Sequence, residues 1–176
     1  MNKTIIAASL TAAMTFFAST ANAADGTITF KGLIDSSTCN VSINGGNKDA
    51  TVNLPKVSAN LLAEKDKVAG ATNFNMILKN CSGTANSVLA FFEAGANVDS
   101  VTGNLKNNGT ATNVQVQLMD VDGKVLKAGD TSQTTGKTVA LSGGNGTLTY
   151  AAQYFATDKV EAGDVDTSVT YSINYL

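Results

Sequence analysis

The sequence contains no histidine and no tryptophan, and aromatic residues make up only 6% of its 176 positions. Without histidine the commonest general base and metal ligand is missing, so neither a Ser-His-Asp nor a Cys-His arrangement can be built. No Ser-x-x-Lys segment occurs that would support a lysine-activated nucleophile. The two cysteines, Cys39 and Cys81, form no Cys-x-x-Cys pair, and without histidine they leave no zinc-ligand set of the usual spacing. Glycoside hydrolysis needs only paired carboxylates, yet a tryptophan-free chain with few aromatics has no obvious platform for stacking a sugar ring. These absences point away from an enzyme, a cofactor or a bound metal. The formal net charge is -2, with lysines scattered along a mildly acidic chain. That gives no electrostatic footprint for nucleic acid or anionic lipid.

What is present begins with a leader. Asn2-Lys3 supplies a positive charge, residues 5–18 are uncharged and mostly apolar, and Ala21-Asn22-Ala23 has the small-x-small pattern of a signal-peptidase site. The apolar run contains Ser9, Thr11 and Thr15 and is short for a membrane span of about 20 residues. No cysteine lies beside the cleavage site, as a lipoprotein would need. Residues 1–23 therefore read as a secretory signal peptide, with the exported chain beginning at Ala24 and no direct membrane insertion. Removing 23 of 176 residues leaves 153, one domain of ordinary size with room for a real core. Lys3 leaves with the leader, so 11 basic side chains then face 14 acidic ones, a net charge of -3. In an oxidising compartment two cysteines 42 positions apart most simply form one disulfide, two buried free thiols being the alternative.

The exported region alternates apolar and polar residues in short runs broken by Gly, Asn and Asp, the period-2 signal of half-buried strands. Ile28 and Phe30 share one face of residues 26–32. Val41 and Ile43 precede an Asn44-Gly45-Gly46 turn, and Val52 and Leu54 follow it. Phe74, Met76 and Leu78 alternate with Asn73, Asn75 and Lys79, and residues 87–93 form a continuous apolar run that suits a strand buried on both faces. Val114, Val116 and Leu118 alternate with Gln115 and Gln117, and Asp122-Gly123 is a strong hairpin signal. Leu148, Tyr150, Ala152 and Tyr154 make another stripe, as do Val169, Tyr171, Ile173 and Tyr175. Only residues 58–68, with Leu61, Leu62 and Val68, suggest a turn or two of helix. Turns every 8–12 residues or so are the mark of an all-β sandwich with Greek-key links. Asp120 and Asp122 flank the hairpin and read as turn residues. Asp158, Glu161, Asp164 and Asp166 match no dedicated calcium loop and read as a solvated loop. Gly143-Gly144-Asn145-Gly146 lacks the lysine of a phosphate-binding loop and reads as a turn.

Taken in order, these segments resemble the major pilins of the chaperone–usher pathway, a family similar to the type 1 fimbrial major subunit. The resemblance spans nearly all of the exported chain. It is carried by residues 26–32, by Cys39 and Cys81, by Thr72-Asn-Phe-Asn-Met-Ile-Leu-Lys-Asn-Cys81, by Ala111-Thr-Asn-Val-Gln-Val-Gln-Leu118 and by Tyr154-Phe-Ala-Thr157. Gly163, fourteenth from the last residue, and the penultimate Tyr175 complete it. The resemblance implies an immunoglobulin-like Greek-key β-sandwich, residues 32–176, that lacks its last strand and is completed by donor-strand exchange. Residues 24–31 would then be an N-terminal donor extension, with Ala24, Gly26, Ile28, Phe30 and the following Gly32 along the donated strand. Gly163, Val169, Tyr171, Ile173 and Tyr175 would belong to the C-terminal segment beside the groove. Only Ala24 and Asp25 precede Gly26 after the expected cleavage, a shorter run than type 1-like extensions have, so Ala24 would fill the first pocket. The partners so implied are a periplasmic chaperone, an outer-membrane usher, neighbouring copies of the chain, and tip adaptor or adhesin subunits. The function so implied is that of a structural subunit of a bacterial surface fimbria, exported through the periplasm and supporting adhesion. A minor or adaptor subunit of the same system is the nearest alternative. A free-standing secreted carbohydrate-binding sandwich, with Ile28 and Phe30 in its own core, is another.

Overall fold

The structure is a computed structural model that describes Gly26, residues 28–32, Ile34 and residues 36–176. The leader of residues 1–23 and the expected first exported residue, Ala24, lie outside the described residues. All strands described below belong to the compact unit formed within residues 34–176.

Among the described residues nine strands follow in chain order: β1 (Thr38–Ile43), β2 (Val68–Ser82), β3 (Ser87–Phe92), β4 (Leu105–Lys106), β5 (Thr112–Asp120), β6 (Val125–Leu126), β7 (Val139–Ala140), β8 (Gly146–Glu161) and β9 (Tyr171–Tyr175). One sheet runs β1-β2-β8-β5-β4, with β6 also paired to β5, and the other runs β7-β3-β9. Every pairing is antiparallel. The apolar stripes of β2, β5 and β8, from Phe74 and Met76 to Leu118 and Leu148, face Val88, Ala90 and Phe92 of β3 across one core. Phe74, Phe92 and Tyr150 meet at its centre, the last two edge to face with ring centres 5.1 Å apart, an arrangement worth about 0.5–1.5 kcal/mol beyond area burial. As its unbroken apolar run implied, β3 is buried on both faces, with Leu89 pointing away from Val88 and Ala90.

The short β7 pairs with β3 only at Ser87 and Val88, so the remaining backbone groups on that edge need other partners. Side chains supply them. The Ala90 N–H donates to the Tyr150 hydroxyl at 2.9 Å. The Phe92 N–H donates to Gln133 Oε1 and the Phe92 carbonyl accepts from Gln133 Nε2, both at 3.0 Å. Burial holds the Tyr150 phenol above its ordinary pKa, with the Asp120 carboxylate adding to the effect, so the hydroxyl remains neutral where it closes the edge.

Four local features differ from the sequence reading. The helix expected over 58–68 is a single 3₁₀ turn, Ala59–Leu62, capped by the Ser58 hydroxyl, and Val68 opens β2 instead. Val52 and Leu54 alternate inward as strand residues do, but residues 50–57 pair with no strand. Asp158 and Glu161 belong to β8 and not to a loop. Gln117, on the face away from the core, is 8% exposed. It joins a chain of amides in which Gln153 donates to Gln117, Gln117 to Asn104, Asn104 to Gln115 and Gln115 to Asp99. Such a network is tolerated in a buried place because its polar groups bond to one another.

The turns follow their chemistry. Gly123 has φ +79° and its N–H donates to the Asp120 carbonyl at 3.0 Å, while the Asp120 carboxylate accepts from the N–H groups of Asp122 and Lys124. Among the described residues no three potential ligands gather to hold a metal ion. Gly163 lies in the connection between β8 and β9, before the last strand. A Cβ there would collide with the Ala111 amide and stand 2.6 Å from the Thr110 carbonyl carbon. The close approach lets the Ala111 N–H reach the Asp164 carbonyl at 3.0 Å. Replacing Gly163 by Ala should therefore destabilise the fold by about 1–3 kcal/mol, read as a lower urea midpoint; an unchanged midpoint would show that the spacing is not tight.

Candidate strand-accepting groove

β9 is an edge strand, and its two edges can be told apart by hydrogen bonding. Leu176 and Ser87 exchange bonds at 2.9 and 3.1 Å, and the Glu93 N–H reaches the Thr170 carbonyl at 2.9 Å. The register pairs Asn174 with Leu89 and Ser172 with Phe91 between those points. In an antiparallel ladder, alternate residues turn their N–H and C=O to the same neighbour. The even-numbered residues thus face β3, and the backbone groups of Tyr171, Ile173 and Tyr175 face the other way. Among the described residues no strand pairs with that side. The side chains of the same three residues, with Val169 just ahead of the strand, lean on the main core and are only partly buried.

The opposite bank is β1, the edge of the other sheet, followed by residues 46–54. Cys39, Val41, Val52 and Leu54 pack on the core from this side and are also only partly buried. The Cys39–Cys81 disulfide ties β1 to β2, with Cα atoms 4.1 Å apart. Between the banks lie two cavities. One of 880 Å³ runs beside β9 and is bounded by Cys39, Val41, Ile173 and Tyr175. The other, of 620 Å³, reaches Met76 and Phe92 at the core and is bounded by Leu54 and Val165. At their junction the Tyr171 hydroxyl donates to the Lys48 carbonyl at 2.8 Å. Burial holds the Tyr171 phenol above its ordinary pKa, and the nearby Asp49 carboxylate adds to the effect. The result is a trench of mixed apolar and polar lining, with a row of backbone donors and acceptors on β9 that no described strand pairs, a surface that can bind an extended strand.

The structure brings Val169, Tyr171, Ile173 and Tyr175 together along this trench, whereas Gly163 packs against residues 110–111, away from the strand itself. Gly26, Ile28, Phe30 and Gly32 carry no strand assignment, and the side chains of Ile28 and Phe30 are 80% and 88% exposed. Sequence reasoning missed the far bank as a functional element. Its signal was present in the inward alternation of Val52 and Leu54, a strand pattern without a strand partner.

An antiparallel two-sheet sandwich with an open edge along its last strand has the immunoglobulin-like pilin architecture. The fold is similar to a subunit of a chaperone–usher pilus solved for its rod uncoiling, with TM-score 0.61, 21% identity, and coverage of 87% of this chain and 96% of that one. It is also similar to the P pilus rod subunit PapA, with TM-score 0.59, 20% identity, and coverage of 78% and 99%. The family model described as type-1 fimbrial protein, A matches residues 54–176. The F17 fimbrial protein of Escherichia coli is 45% identical over 159 residues, covering 86% of this chain and 87% of that protein. The major fimbrial subunit SMF-1 of Stenotrophomonas maltophilia strain K279a is 46% identical over 163 residues, covering 88% and 95%. The chain belongs to the type-1 fimbrial protein A family. It is a structural subunit of a surface fimbria.

The disulfide fastens one bank of the trench. Closing a 42-residue separation stabilises by about 4 kcal/mol on the chain-entropy model. A Cys39→Ser/Cys81→Ser chain should lose stability on that scale and should incorporate poorly into fibres, measured by denaturation and by electron microscopy of sheared material. Full stability and normal fibre yield would show that β1 holds the bank unaided.

Proposed function

We propose that the trench accepts residues 24–31 of a neighbouring copy, so that each subunit's leading segment completes the sandwich of the next. The observation that carries this reading is the pairing of an unsatisfied β9 edge with exposed apolar side chains at Ile28 and Phe30. Each side needs what the other offers. The edge needs backbone partners, since an unpaired strand beside a partly open core invites aggregation. The segment needs burial, and Ile28 and Phe30 would each contribute about 1.5–3 kcal/mol if fully covered. Ladder hydrogen bonds to Tyr171, Ile173 and Tyr175 add modestly and set the register. An immunoglobulin-type last strand pairs antiparallel with its neighbour, so the donated strand would run opposite to β9. Gly26 would lie over a shallow part of the trench, and Ala24 would occupy its first pocket.

The same physics gives the assembly route its logic. An exported subunit with an open trench is protected by a temporary strand, supplied by a periplasmic chaperone, until an outer-membrane usher brings the next copy. The relatives that match over most of their length include one named as a major subunit, which favours the homopolymeric rod over a minor role. Tip adaptor or adhesin subunits would complete the fibre. An enzymatic role has no support in this family or in the trench.

Two experiments test the reading. A chain lacking residues 24–31 should still fold onto its chaperone but fail to polymerise; loss of chaperone binding would make the segment an internal strand and defeat the proposal. Phe30→Asp should block fibre growth, because a carboxylate would enter an apolar pocket. Fibres of normal length from that variant, seen as an undiminished ladder of heat-resistant oligomers on a denaturing gel, would contradict it.

A further inference from the structure

The trench is not continuous. Lys48, Asp49, Val169 and Tyr171 border both of its cavities, so the cavities meet where the Tyr171 side chain crosses from β9 to the far bank. Its hydroxyl is anchored there on the Lys48 carbonyl at 2.8 Å. Val169 and Ile173, the aliphatic residues on either side in the inward-facing row, carry no polar group that could reach such an anchor. We propose that the Tyr171–Lys48 hydrogen bond is a clasp across the groove that any incoming strand must open, making Tyr171 the residue that sets the rate of groove filling. The proposal rests on the strand-accepting reading above and concerns what guards the site, not what fills it.

The geometry supplies the reason. A strand added to β9 must bond the backbone of Tyr171, Ile173 and Tyr175, which places it in the space between the banks. The phenol already spans that space at Tyr171. Strand and crosspiece compete for one volume, so the bond to Lys48 must break before the ladder can pass. In the empty subunit the clasp shortens the run of open edge available to a wrong partner. A neutral hydrogen bond of this kind changes an equilibrium or a barrier by about two- to tenfold, enough to delay entry without blocking it.

The test uses the processed subunit with its disulfide intact and a fluorescent synthetic peptide of residues 24–34, followed by anisotropy. Tyr171→Phe keeps the ring and removes only the anchor. The variant should take up the peptide about two- to tenfold faster than the native subunit, with unchanged circular dichroism. Equal or slower uptake overturns the clasp while leaving strand acceptance intact. If neither protein binds the peptide, the strand-accepting reading fails, and the clasp with it. A second measurement needs no variant. In the native subunit carrying labelled tyrosine, the Tyr171 resonance should shift when unlabelled peptide binds, and an unshifted resonance in the peptide-bound state overturns the proposal.

Discussion

A β-strand edge carries backbone donors and acceptors that must bond to something, and β9 has an edge with no partner among the described residues. Three residues, Tyr171, Ile173 and Tyr175, turn their backbone groups outward at the same positions where their side chains rest on a partly exposed core. The two deficits coincide because side-chain direction and hydrogen-bonding direction repeat with the same two-residue period. One added strand therefore corrects both at once, and no isolated side chain could.

The rest of the sandwich keeps that edge in place while satisfying its own. On the other side of β3, where β7 stops early, Tyr150 and Gln133 complete the backbone bonding from within the protein. The contrast is informative: an edge that can be closed by side chains is closed, and the one beside the trench is left open over 880 Å³ of space. The banks are fixed by tight local devices. Gly163 brings the connection before β9 against residues 110–111, and the disulfide holds β1 to its neighbour. An exposed apolar edge is normally a liability in a soluble protein. Under the proposed function it would be the surface to which a neighbouring subunit attaches.

Much of the architecture was legible because β-structure writes itself locally. Alternation placed the core stripes of β2, β5 and β8, the unbroken apolar run of residues 87–93 marked the doubly buried strand, and Asp122-Gly123 marked the hairpin. Local pattern failed where a distant partner made the decision. Val68 was assigned to a helix because Leu61 and Leu62 precede it, but pairing with Phe155 draws it into β2. Gln117 looked like a surface residue until Asn104 and Gln153 enclosed it in a polar network.

The sequence by itself determined the alternating strands, the stripe of β9 with its aromatic residues, and an apolar pattern at Ile28 and Phe30. These are properties of period and composition, and they are set by neighbours a few residues apart. Only the tertiary structure decided that a trench exists, since its banks come from residues 39–54 and 165–175 and meet through folding alone. It also decided that Tyr171 reaches Lys48 across 123 positions. No local rule encodes such a contact, because it depends on where two sheets leave their edges.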